Sequence, residues 1–150
     1  YIGAPEWIAK ACTKIQGQFT SGASSISQRA ALAAVSYSPN VILPMKEAFL
    51  ERRNFMLKEL RNIKGIKINE PKGAFYLFPD VSELFGQHFD GKTVNNADDL
   101  CLFLLEEAKV ALVTGNAFGS PNCIRISYAA SMEQLKEAVY RIKSAISQLN

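Results

Sequence analysis

The sequence predicts an α+β fold in which one small sheet is covered by helices. Three observations carry that reading. From about Gly65 onward the strand-like and helix-like segments follow the order β-β-α-β-β-α. The segments before Gly65 read as helices and turns, with no strand between Glu6 and Ile63. The chain has 150 residues and is 48% hydrophobic, enough to bury a sizeable core.

Each element has its own local reason. Tyr1-Ile2-Gly3-Ala4-Pro5 reads as a strand end and a turn with nothing ahead of it to pair with, so we expect a piece of a longer protein. Glu6 to about Gln18 carries Trp7, Ile8, Ala11 and Ile15 near one helical face. Gln16 to Gln28 is polar and rich in Ser and Gly, which suits either a linker or an ordered loop whose backbone N–H groups approach an anion. A helix from about Ser25 to Tyr37 follows, supported by Ala30, Ala31, Ala33 and Ala34. After a break bracketed by Pro39 and Pro44, Val41 to Ile63 reads as one long helix stopped by Gly65. At about 1.5 Å per residue, such a helix can reach from one domain into another.

Gly65 to Asn69 alternates like a strand, Glu70-Pro71-Lys72-Gly73 is turn chemistry, and Ala74 to Phe78 is a second strand. Val81 to Lys92, with His88, reads as an irregular excursion. Asn95 or Asn96 caps a helix with Asp98 and Asp99 in its first turn, and Ala97, Leu100, Cys101, Leu104, Leu105 and Ala108 form its inner face. Val110 to Thr114 and Cys123 to Tyr128 are strands joined by a loop over Gly115 to Asn122. Ser131 and Gln134 match a capping box at the head of an amphipathic helix running to Leu149.

Composition excludes several functions. The net charge is +3 with its cations dispersed, so no basic stripe points to nucleic acid. No apolar run has membrane-spanning length and no signal-peptide pattern is present. Cys12, Cys101 and Cys123 are far apart, and with the single His88 they make a poor zinc set, so no metal is expected. The expectation is buried, reduced thiols in a cytoplasmic protein.

One residue stands out. Arg125 lies inside the apolar run Ile124-Arg125-Ile126 with no acidic neighbour. Alternation puts Arg125 and Ser127 on one face of the strand, and Ile124, Ile126 and Tyr128 on the other. A guanidinium stays charged and presents a planar fork that matches a carboxylate. Pattern alone favours a structural or surface role, as for most arginines. The Gly, Ala and Ser residues around Phe118 are a suitable wall for a small-molecule pocket.

The stretch LLEEAKVALVTGNAFGSPNCIRISYAAS, Leu104 to Ser131, resembles the C-terminal signature of class I aminotransferases of the aspartate aminotransferase type. These are pyridoxal 5'-phosphate (PLP) enzymes of fold type I. YIGAP, PKGAFYLFPDVS and QFTSGASSISQRAA resemble, in order, the strand after the family's phosphate-binding stretch, its small-domain hairpin and a segment near the subunit interface. The resemblance covers essentially the whole chain. It implies that residues 1–40 end the large PLP-binding domain and that residues 41–150 form the interdomain helix and the small C-terminal domain. It implies transamination between an L-amino acid, foremost aspartate, and a 2-oxo acid, in a homodimer when full length. Arg125 would clamp the substrate α-carboxylate and Phe118 would wall the pocket. Thr20 and Ser21 would lie near the partner subunit's cofactor. The Schiff-base lysine of the family falls before Tyr1, so the resemblance assigns no catalytic residue to this chain, and implies that the chain alone is inactive and does not bind PLP. Three alternatives stay open: another fold type I enzyme (an aromatic or alanine aminotransferase, or a carbon–sulfur lyase), a non-enzymatic effector-binding domain, and an interaction module with a structural Arg125.

Overall fold

A computed structural model describes residues 2–150. The chain divides into two compact units, Tyr1–Leu43 and Pro44–Asn150. Tyr1, at the expected strand end, lies outside the described residues, and residues 2–5 have no regular structure.

The first unit holds two helices, α1 (Glu6–Phe19) and α2 (Ser25–Ser36), and a 3-10 turn at Pro39–Ile42 whose start is capped by the Ser38 side chain accepting the Asn40 N–H. The polar stretch read as a loop or linker is therefore mostly helix. Only residues 20–24 are irregular, because the glutamines of Gln16–Gln18 are good helix formers whatever their polarity. Neither helix buries a residue, and Trp7, Phe19, Ile26 and Val35 stand exposed.

The second unit contains the core. Helix α3 (Leu43–Leu60) starts two residues later than expected, with Pro44 in its first turn, where a missing N–H does no harm. Met56, Leu57 and Leu60 form its buried stripe. Strand β1 is short (Tyr76–Leu77) and pairs antiparallel with β5 (Ile124–Ser127), which pairs antiparallel with β4 (Val113–Thr114), giving the order β1-β5-β4. The strand expected at Gly65–Asn69 is reduced to one bridge, Lys67 to Asp80. Alternation there reports burial of Ile66 and partial burial of Ile68, not a ladder.

The expected irregular excursion over Val81–Lys92 is corrected as well. After a 3-10 turn at Ser82–Leu84, β2 (His88–Phe89) and β3 (Lys92–Thr93) form a hairpin closed by Asp90 and Gly91, both at positive φ. That is the Asp-Gly signature of a two-residue turn whose twist matches the strands.

Helix α4 (Ala97–Glu107) is capped by Asn96, whose side chain accepts the Asp99 N–H. Its inner face is Ala97, Leu100 and Leu104, with Cys101 half-buried. Leu105, expected on that face, is 47% exposed because it lies about 100° round from Leu104. Helix α5 (Met132–Ile146) opens with the predicted capping box, Ser131 with Gln134, and buries Leu135, Val139, Ile142, Ala145 and Ile146. These side chains meet Leu60, Leu77, Ile124 and Ile126 in one cluster under the sheet. Burying a leucine there contributes about 2–3 kcal/mol.

Candidate functional site

The site grows from the centre of the sheet. Along β5, Ile124 and Ile126 point into the core, at 1% and 3% exposure, while Arg125 is half-buried and Ser127 exposed on the other face. The alternation read from the sequence thus holds. Register supplies the neighbours. Tyr76 lies opposite Ser127 and Val113 opposite Arg125. Tyr76 is therefore a diagonal same-face neighbour of Arg125, within reach for an aromatic ring and a long side chain. The Arg125 Cζ stands 4.6 Å from the centroid of the Tyr76 ring.

A second ring comes from the β4–β5 connection. Gly115–Phe118 forms a 3-10 turn capped by Gly119 at φ 73, a conformation glycine adopts without strain. The turn folds back so that Phe118 meets the guanidinium, with Cζ 4.7 Å from the ring centroid. Phe118 also makes an edge contact with Phe78, centroids 5.9 Å apart. Local hydrogen bonds fix the turn. The Asn116 N–H donates to Thr114 Oγ1 at 3.2 Å, and the Gly115 N–H donates to the Cys123 carbonyl at 2.7 Å. Gly115 is required by space, since a Cβ there would sit 2.1 Å from the Ser120 carbonyl oxygen.

Three other arginines of the unit are ion-paired, Arg53 and Arg61 with Glu70 and Arg141 with Glu137, while Arg52 lies over the Phe49 ring, its Cζ 5.3 Å from the centroid. Among the described residues Arg125 has no carboxylate partner. Aromatic faces attract the cation without using its N–H donors, so the planar fork stays available for an anion. A carboxylate is the ligand its geometry matches best.

The structure places Phe118 and Tyr76 on the Arg125 guanidinium. Thr20 and Ser21 belong to the first unit. Both are exposed, Ser21 at φ 60, in the turn after α1. His88 is exposed in its hairpin, 2.9 Å from Thr93 Oγ1. No cluster of metal-ligating side chains occurs among the described residues, and none of their helices is long and apolar enough to cross a membrane.

Residues 1–142 match the model of the family described as aminotransferase class I and II. The chain belongs to that family. It is 51% identical to a bifunctional aspartate aminotransferase and glutamate/aspartate-prephenate aminotransferase of Petunia hybrida, over 97% of this chain and 31% of that protein. It is 45% identical to an aspartate aminotransferase of Pinus pinaster, over 97% of this chain and 30% of that protein. The crystal structure of the aspartate aminotransferase from Rhizobium meliloti superposes with a TM-score of 0.89 at 39% identity, covering 99% of this chain and 37% of that one. The chain thus spans about a third of the length of these relatives.

The cofactor that the resemblance implies is held through a lysine. A lysine that condenses with an aldehyde must reach its neutral form, which requires a lowered pKa. Every lysine here is exposed except Lys143, which is half-buried and paired with Glu59 at 2.5 Å. Lys67 and Lys92 have raised pKa values, because they hydrogen-bond Glu83 and Glu106. These lysines do not fit a Schiff-base role.

Proposed function

We propose that this chain is the substrate-gripping C-terminal part of a PLP-dependent aminotransferase, with aspartate as amino donor and a 2-oxo acid as acceptor. The observation that carries the reading is Arg125: a cation on the exposed face of the central strand, flanked by two aromatic rings and lacking a carboxylate partner among the described residues. Its fork clamps the substrate α-carboxylate and fixes the orientation of the reacting carbon, while Phe118 walls the pocket. The choice of aspartate follows the relatives at 51% and 45% identity, both named for it.

In this reading residues 1–40 end the large domain, and residues 41–150 supply the interdomain helix and the small domain. Thr20 and Ser21 lie near the partner subunit's cofactor in a full-length homodimer. PLP supplies the electron sink when bound. The lysine that holds it comes from outside this chain, in keeping with the exposed or ion-paired lysines seen here.

Two experiments test the reading. In the full-length protein, Arg125→Ala should lower kcat/KM for aspartate by roughly 2–5 kcal/mol, mainly through KM. Unchanged kinetics would remove Arg125 from the site. The 150-residue chain mixed with PLP, aspartate and 2-oxoglutarate should give no transamination, and turnover above the cofactor-only rate would contradict the missing lysine.

A further inference from the structure

We infer that Tyr76 is a positioning residue for the substrate carboxylate, acting through Arg125; this rests on the role proposed for Arg125. An arginine side chain turns about several single bonds, so a half-buried guanidinium needs a partner to hold its plane. The usual partner is a carboxylate, which would occupy the very N–H edge that a substrate must use. Tyr76 solves this differently. Its ring stands 4.6 Å from Cζ and attracts the cation through its π face, which consumes no N–H donor and leaves the net charge in place.

The position follows from strand register rather than from a flexible loop. Tyr76 pairs with Ser127, and a one-residue slip of β1 would carry its ring to the core face. The ring is also backed. Phe75 lies against it in a tilted contact with centroids 4.5 Å apart, and Phe49 of α3 packs on Phe75 at 6.0 Å. On the other flank Phe78 supports Phe118. The guanidinium therefore sits in a row of aromatic side chains reaching from α3 to the β4–β5 turn. The Tyr76 hydroxyl has no part in this, so the ring alone carries the effect.

The test uses the full-length protein loaded with its cofactor, and two readouts. One is the Kd of succinate by calorimetry, a dicarboxylate with no reacting amine. The other is the split between KM and kcat for aspartate. Tyr76→Leu should weaken succinate and raise KM about fivefold, with kcat within twofold, as expected for loss of one cation–π contact. Tyr76→Phe should restore both constants to within about twofold of the parent, a rescue expected if the ring alone acts. Tyr76→Met, of similar bulk without a π face, replaces the leucine variant if that one does not fold. In an Arg125→Ala background the Tyr76→Leu change should add nothing, because no guanidinium is left to orient. Three outcomes would overturn the inference: an unchanged Kd in Tyr76→Leu where Arg125→Ala is damaging, a phenylalanine variant as poor as leucine, or an undiminished effect of Tyr76→Leu without Arg125. An Arg125→Ala protein that binds succinate normally would instead refute the role of Arg125 itself, and the positioning role with it.

Discussion

The side-chain amide of Asn116 donates to the Asp98 carboxylate at 2.5 Å, tying the turn that carries Phe118 to the first turn of α4. Asp98 has a second use there, since a carboxylate complements the positive end of a helix. Asn116→Ala therefore isolates the tie without disturbing the helix. Both residues are partly exposed, so the lost charge-assisted bond should lower stability by about 1 kcal/mol. For a unit of this size that is a fall in Tm of about 4–8 °C. Thermal denaturation of the variant checks it, and an unchanged Tm would show that the turn holds itself.

Gly115 sets a harder constraint on the same turn. A methyl group there would lie 2.1 Å from the Ser120 carbonyl oxygen and 2.4 Å from that of Cys123, and backbone cannot move aside as a side chain can. Gly115→Ala should destabilise by about 2–4 kcal/mol, as strained and overpacked sites do. It should also displace Phe118 from Arg125. Gly73 is the control, with open space where its Cβ would be, so Gly73→Ala should stay within about 0.5 kcal/mol. Urea unfolding of the two variants side by side separates the cases, and equal midpoints would refute the packing argument.

The site was only half legible before the structure. Alternation along Ile124-Arg125-Ile126 fixes which face Arg125 occupies, because side chains on a strand have period two. It cannot say what stands beside Arg125, because that depends on the register between strands fifty residues apart. The sequence alone therefore does not bring Tyr76 to Arg125. The same lack of pairing information turned Gly65–Asn69 into a strand, although only Lys67 bridges. The hairpin at Asp90-Gly91 was missed although its turn dipeptide is a local signal, with both residues at positive φ. The short β2 and β3 carry too little alternation to draw notice to it. The capping signals at Asn96 and Ser131 read correctly because a cap is local, decided within four residues.

Asp80 gives the fold a pH dependence. Its Oδ1 accepts the Ser82 hydroxyl at 2.6 Å and the Ser82 N–H at 2.9 Å. These bonds hold its pKa below the ordinary 3.8, with the Ser82 hydroxyl the larger cause. A carboxyl with a depressed folded pKa adds stability that is full above its unfolded pKa and is lost as pH falls through the folded one. Asp80 should therefore stabilise fully above about pH 5 and progressively less from about pH 4 downward. Asp80→Asn should lower stability at pH 7 by about 1–2 kcal/mol and flatten this acid limb. Denaturation midpoints between pH 3 and 7 for both proteins test it, and parallel curves would exclude Asp80 as a source of the slope.

The cysteines should differ in reactivity by position. Cys12 is exposed on α1, whereas Cys101 is half-buried on α4. Burial pushes the Cys101 thiol up to about 11, with the nearby Asp98 charge adding to the effect. At pH 8 only roughly one Cys101 in a thousand is then the reactive thiolate. Cys123 is shifted upward by the same main cause, burial. In the native 150-residue chain, a disulfide reagent at pH 8 should label Cys12 first and Cys101 last, with Cys101 reacting fully only on denaturation. Peptide mapping of a labelling time course gives the order. Labelling of Cys101 at the rate of Cys12 would mean that α4 opens far more readily than the full burial of its Leu100 and Leu104 side chains implies.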